Sequence, residues 1–111
     1  MSKVKVNGIE LHFQVYGEGE TIVFAHGAGG NLLSWWQQIP FFSEHYTCIT
    51  FDHRGFGRSI DAPDGPGSSA FVDDLAGILD HLEVESAHLV AQSMGGLTAL
   101  GFAVAYPERT K

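Results

Sequence analysis

The stretch Ala87-His88-Leu89-Val90-Ala91-Gln92-Ser93-Met94-Gly95-Gly96 decides how this chain is read. Ala87–Ala91 is brief and largely apolar, which suits a strand buried on both faces of a parallel sheet. From about Met94 to Tyr106 runs an almost wholly apolar segment that carries Gly95, Gly96, Ala99, Gly101, Ala103 and Ala105 and is stopped by Pro107. Small residues on every side predict a buried helix lying close against a sheet. Ser93 then stands at the apex of a strand-to-helix turn, with a small residue two positions away on each side, Ala91 and Gly95. The spacing has a steric cause: in so tight a turn, larger side chains there would meet the helix or the neighbouring strand. The serine is forced into a strained backbone conformation that pushes its hydroxyl out of the sheet. Taken alone, Ser93 reads as a helix cap. The apolar strand before it and the glycine-rich helix after it favour a candidate nucleophile instead.

Working outward, Val4 and Val6 alternate with Lys3 and Lys5, and after Asn7-Gly8 the alternation resumes with Ile9, Leu11, Phe13 and Val15. Asn-Gly between two alternating runs predicts a hairpin, because a type I′ turn needs positive φ at both central positions. Thr21–Ala25 and Tyr46–Phe51 repeat the short apolar pattern of a buried strand. Between them, Ser34 is expected to cap a helix from Trp35 to about Ser43. Phe71, Val72, Leu75, Ile78, Leu79 and Leu82 mark one face of a further helix starting near Ser68 or Ser69, with Asp73-Asp74 a solvated start near its positive end. A hairpin followed by strand–helix–strand–helix–strand–helix implies an α/β sheet with right-handed crossovers and helices on both faces.

Composition removes several function classes. The 111 residues hold 6 Lys+Arg against 13 Asp+Glu, a net charge of −7. No Lys or Arg lies between Ser59 and Pro107. Such a surface repels phosphate backbones, so nucleic acid is not an expected partner. With 44% hydrophobic residues the chain can bury a core, which excludes disorder. Cys48, the single cysteine, forms no internal disulfide and reads as an inert strand residue; no Cys/His cluster has zinc spacing. The N-terminus lacks the apolar run of a signal peptide and Gly95–Tyr106 is too short for a membrane span, so a soluble, cytoplasmic chain is expected.

Ligands bind at the carboxyl ends of parallel strands, and three loops should emerge there together: His26–Asn31, Asp52–Ile60 and Gln92–Gly95. Ala91–Gly95 is the nucleophile-elbow pattern G-x-S-x-G with Ala91 replacing the first glycine. His26-Gly27-Ala28-Gly29-Gly30 follows one buried strand, and Asp52-His53-Arg54-Gly55-Phe56-Gly57-Arg58-Ser59 follows another. In this order, at these strand ends, the chain resembles the α/β-hydrolase family over its whole length. His26–Gly30 is similar to the family's HG-x oxyanion loop, Asp52–Ser59 to its D-x-R-G-x-G-x-S segment, and Pro107-Glu108-Arg109 to the ending of its nucleophile helix. The resemblance implies a small-molecule substrate, no cofactor and no metal. Ser93 would attack a carbonyl carbon, and the N–H groups of Ala28 and Met94 would hold the oxyanion. His26, Gly27, Gly29, Asp52, Arg54, Gly55, Gly57, Ser59, Ala91 and Gly95 would be motif residues that shape the loops. A serine, where epoxide hydrolases and haloalkane dehalogenases of this fold use Asp, points to an ester, thioester, lactone or carbon–carbon bond, or to cofactor-free perhydrolase chemistry.

The family's order is Ser, acid, His. After Ser93 this sequence has one acid, Glu108, and no histidine; all 6 histidines precede it. His26 reads as a loop organiser and His53 as structural, and neither matches the family's catalytic histidine. Residues 1–111 therefore read as the N-terminal part of a single α/β-hydrolase domain, without the triad acid and base. Trp35 and Trp36 read as helix packing, and Arg54 and Arg58 as partners of Asp52 or Asp61. Two rival readings stand: a nucleotide-binding doubly wound domain, and a non-catalytic relative that keeps the pocket. For the first, neither Gly27-x-Gly29 nor Gly55-x-Gly57 completes G-x-G-x-x-G, since Leu32 and Ile60 occupy the sixth places.

Overall fold

The computed structural model describes residues 2–111. Strands β1 (Ser2–Val6) and β2 (Ile9–Tyr16) form the expected hairpin, with φ of +50° at Asn7 and +86° at Gly8 and Val6 paired with Ile9. Strands β3 (Glu20–Ala25), β4 (Tyr46–Phe51) and β5 (His88–Ala91) complete a five-stranded sheet in the order β1-β2-β4-β3-β5. β2 runs antiparallel to β4, whereas β4, β3 and β5 are parallel neighbours. Phe24 pairs with both Thr50 and Val90, and Ala25 pairs with Ala91, so these three strands end on the same sheet edge. This is the expected α/β sheet, an antiparallel hairpin followed by parallel strands.

Helices α1 (Ile39–Phe42), α2 (Phe71–His81) and α3 (Gly95–Ala105) cover both faces. The period-2 alternation of β3 decides which residue goes where. Val23 and Ala25 enter the larger core with Leu75, Ile78 and Leu79 of α2 and Phe102 of α3. Ile22 and Phe24 enter the smaller one with Ile39 and Cys48, against which Trp35 and Phe42 pack. Each fully buried Leu, Ile or Phe contributes about 1.5–3 kcal/mol.

Several expectations need correction. The segment between β3 and β4 is not a helix from Trp35 to Ser43: a 3-10 turn spans Leu32–Trp35, and α1 is a separate turn of 4 residues. Asn31 caps the first, its Oδ1 accepting the Leu33 N–H at 2.8 Å, while Ser34 Oγ accepts the Asn31 N–H at 3.1 Å. Pro40, which has no N–H, is tolerated only in a first helical turn, so it opens a new helix instead of continuing an old one. Trp35 packs on Phe24, whereas Trp36 is 70% exposed.

The helix after Ser93 is buried on one face only. Thr98 and Phe102 are fully inside, but Leu97, Leu100 and Val104 stand in the open. The cause is the sheet order, because β5 is an edge strand and its own Val90 and Ala91 are exposed. Past that edge the described chain places only its last residues: Thr110 bridges Ala87 in parallel, and the Lys111 N–H donates to Ala87 O at 3.0 Å. Finally, Asp74 is not a solvated helix start but is buried against Arg54. No helix among the described residues is long and apolar enough to cross a membrane.

Candidate active site

Ser93 sits exposed at the tip of the β5–α3 turn with φ of +50°, a left-handed conformation that L residues seldom hold. Backbone hydrogen bonds close the turn on both sides. The Gln92 N–H donates to Ala25 O of β3 (3.1 Å), and those of Gly95 and Gly96 donate to Gln92 O (2.9 Å) and Ser93 O (2.8 Å). A Cβ on Gly95 would run into the carbonyls of Ala25 and His26. Glycine is therefore required there by close approach, which is the steric reading of the motif. Met94 is the residue from which α3 starts, so its amide lies at the helix's positive end.

The loop after β3 touches this turn. A Cβ built on Gly27 would lie 3.5 Å from the Ser93 Cβ and 3.2 Å from Gln92 O. The Gly27 carbonyl accepts two hydrogen bonds, from the Gly30 N–H (3.0 Å) and from the His26 ring at Nδ1 (2.8 Å). Gly29 takes φ of +80°, and Ala28 is exposed at the crest. The Ala28 N–H belongs to the same trans peptide as the Gly27 carbonyl and points the opposite way. The Ala28 and Met94 amides take no part in the bonds that close the two turns.

His26 and His53 are both buried and contact each other edge to face, with ring centroids 4.5 Å apart. His26 Nε2 accepts the His53 backbone N–H at 3.0 Å and lies 3.2 Å from His53 Nδ1. His53 Nε2 is 2.7 Å from Thr98 Oγ1 of α3. The His53 ring also packs on Phe51 and Phe71. Burial, with the neighbouring His26 ring adding to it, depresses the His53 pKa to about 3. Burial lowers that of His26 as well, against the opposing pull of the Gly27 carbonyl and Asp52. Both rings are committed to neighbours, so neither is placed to take a proton from Ser93.

The loop after β4 braces its neighbours. Buried Asp52 accepts the Leu32 N–H (2.6 Å) and the Arg58 N–H (2.9 Å). Gly57, at φ of +53°, passes so close that a side chain there would strike the Asp52 carboxylate. Gly55, at φ of +87°, donates to Ser59 O at 2.6 Å, and Ser59 Oγ accepts the His12 N–H at 2.9 Å. Arg54 reaches away from the edge: it pairs with Asp74 at 2.7 and 2.9 Å, with Asp61 at 3.1 Å and with Asn7 O at 3.3 Å. A cleft of about 250 Å³ separates this loop from the previous one, lined by Asn31, Leu32, Leu33, Asp52, Gly57 and Arg58.

The structure thus brings Ser93, Met94, Gly27, Ala28 and His26 together, and ties Arg54 and Ser59 to the hairpin and α2. Sequence reading missed Thr98 and Asp74. Thr98 left a signal, being the one polar residue in Gly95–Ala105. Asp74 left one too, since it follows Phe71 by three positions and precedes Ile78 by four, on the apolar side of the helix, whereas Asp73 does not.

Residues 20–111 match the alpha/beta hydrolase fold family. A putative carbamate hydrolase, RutD, of Agrobacterium fabrum is 37% identical over 87% of this chain and 39% of its own length. The 2-hydroxy-6-oxo-6-phenylhexa-2,4-dienoate hydrolase of Comamonas testosteroni is 36% identical, over 98% of this chain and 40% of its own. Among solved structures, the N-acyl homoserine lactone degrading enzyme Est816 superposes with a TM-score of 0.93 at 34% identity, covering 98% of this chain and 42% of that one. An epoxide hydrolase of Vigna radiata does so with a TM-score of 0.87 at 33% identity, covering 99% and 36%. The chain spans about two fifths of the length of the curated relatives it matches.

Proposed function

The chain belongs to the alpha/beta hydrolase fold family, and from that premise we propose that it carries the nucleophile and oxyanion hole of a serine hydrolase acting on a small carbonyl substrate. In this reading residues 1–111 form the N-terminal part of a single domain and work in the cytoplasm without cofactor or metal. Ser93 is the nucleophile and attacks the carbonyl carbon of an ester, thioester, lactone or C–C bond substrate. The tetrahedral oxyanion is held by the N–H groups of Ala28 and Met94, the second at the positive end of α3. Loss of one such donor typically lowers turnover by about 10²–10³.

The observation that carries the proposal is Ser93 at φ of +50° on an exposed turn, against the Gly27 loop. Relatives named as a carbamate hydrolase, a 2-hydroxy-6-oxo-6-phenylhexa-2,4-dienoate hydrolase and a 3-oxoadipate enol-lactonase support the carbonyl class. The epoxide hydrolase likeness is outweighed by the residue itself, because Ser93 is a nucleophile suited to acyl transfer. A serine without a base is a weak nucleophile at neutral pH. His26 and His53 are committed to one another, and in this reading the triad acid and histidine are not among residues 1–111.

The test is treatment with a fluorophosphonate, which reacts stoichiometrically with nucleophilic serines, followed by peptide mass spectrometry. Slow modification confined to Ser93, and lost in Ser93→Ala, is the expected result. No modification, or modification spread over other serines at equal rate, overturns the assignment.

A further inference from the structure

We propose that His53 and Thr98 are positioning residues: with His26 they form a one-way hydrogen-bond relay that holds the Gly27–Ala28 peptide in its oxyanion-binding orientation. The inference rests on the reading of Ala28 as an oxyanion donor.

Two groups in the relay have no choice of role. The Gly27 carbonyl only accepts, so His26 Nδ1 at 2.8 Å must carry a proton. The His53 backbone N–H only donates, so His26 Nε2 at 3.0 Å must be bare. His26 is thereby fixed as the neutral Nδ1–H tautomer. The same bare Nε2 faces His53 Nδ1 at 3.2 Å, where two lone pairs would repel, so His53 is also protonated at Nδ1. Its Nε2 is then an acceptor, and Thr98 Oγ1 at 2.7 Å is its donor. Every hydrogen bond points one way, from α3 through two rings to the Gly27 carbonyl.

That carbonyl shares its peptide with the Ala28 N–H. Holding the carbonyl therefore aims the amide, and drawing on the carbonyl oxygen makes the amide a stronger donor. Thr98 lies one helical turn after Met94, so the relay also couples the loop to the helix that carries the second oxyanion donor. All three side chains are buried and the His53 ring is boxed by Phe51 and Phe71, so water does not compete for these bonds. Burial keeps both rings neutral, as the relay requires.

The test uses the 111-residue chain with ¹⁵N-labelled histidine and alanine, studied by magic-angle-spinning NMR, which does not require a monomer. His26 and His53 are assigned by the signals missing in single variants. In the unaltered chain both rings should show protonated Nδ1 and bare Nε2. In His53→Phe, which keeps the aromatic packing, the Ala28 amide signal should move. His53→Asn, whose amide can donate from nearly the same position as Nδ1, should restore it. Thr98→Val should shift the His53 Nε2 signal, and Thr98→Ser should not. An Nε2–H tautomer at either buried ring in the unaltered chain overturns the relay, since both must be Nδ1–H. So does an Ala28 amide that is indifferent to His53→Phe. None of these signals involves Ser93, so an unreactive Ser93 in the fluorophosphonate test counts against the proposed function and not against the relay.

Discussion

At Ser93 the backbone pays for placement with strain. A non-glycine residue at φ of +50° is held there by its surroundings at a cost of about 1–3 kcal/mol. Glycine visits this region freely, so Ser93→Gly should be more stable than Ser93→Ala by about 1 kcal/mol. Urea denaturation of the two variants at one protein concentration checks this, and equal midpoints would show that the turn is unstrained. The buried histidines make a second residue-scale prediction. Unfolded, each titrates near its ordinary value of about 6.5; folded, both are depressed, His53 to about 3. Below pH 6.5 the unfolded chain binds more protons, so stability falls as pH falls. The loss should approach about 1.4 kcal/mol per pH unit for each ring still neutral in the fold, and should be absent above pH 7. Denaturant midpoints between pH 7.5 and 4.5 read it, with His53→Phe showing a shallower decline.

At the scale of elements, Arg54 and Asp74 join the loop after β4 to α2, and Arg54 also holds the β1–β2 turn through Asn7 O. Both side chains are about 2% exposed, so each charge depends on the other for its solvation. Removing one partner should cost about 3–5 kcal/mol, whereas replacing both by apolar residues should recover most of it. Arg54→Met, Asp74→Leu and the double variant, compared by thermal unfolding, form the cycle that tests this. If the single variants lose no more than the double, the pair is not coupled. The short α1 shows how local chemistry divides an element. Asn31 starts one turn and Pro40 starts another, so a single long helix never forms between β3 and β4.

Across the whole molecule, the parallel half of the sheet ends at β5, and the outer face of α3 beside it is apolar. Leu97, Leu100 and Val104 are 59%, 71% and 83% exposed, more than a monomer's surface usually presents together on one helix. An open, apolar strand edge next to them invites pairing. The isolated 111-residue chain should therefore be oligomeric or aggregating by light scattering. It should also show no Ser93-dependent hydrolysis of p-nitrophenyl acetate, because His26 and His53, the histidines of the two neighbouring loops, are committed to each other. A monomer whose turnover disappears in Ser93→Ala would mean that one of the histidines before Ser93 serves after all.

The sequence by itself determined the hairpin, the three parallel strands, the serine turn and the family. Each of these rests on local chemistry: positive φ at Asn7-Gly8, apolar runs of strand length, and small residues where backbones nearly touch. The contact of His26 with the carbonyl of Gly27 is local in the same way, lying beside its own glycines. Only the tertiary structure decided which charges meet. Helical rotation already sets Asp74 on the buried side of α2 and Asp73 outside it, but that Arg54 of the loop after β4 meets Asp74 depends on how α2 packs on the sheet. The same holds for Thr98, which reaches His53 across 45 positions of sequence through the packing of α3 on the sheet. Burial of α3 also depended on the order of the strands, since a helix that is apolar all round is covered only where a neighbour exists. Spacing along the chain encodes turns and periodicity, but contacts between elements depend on where the sheet places them.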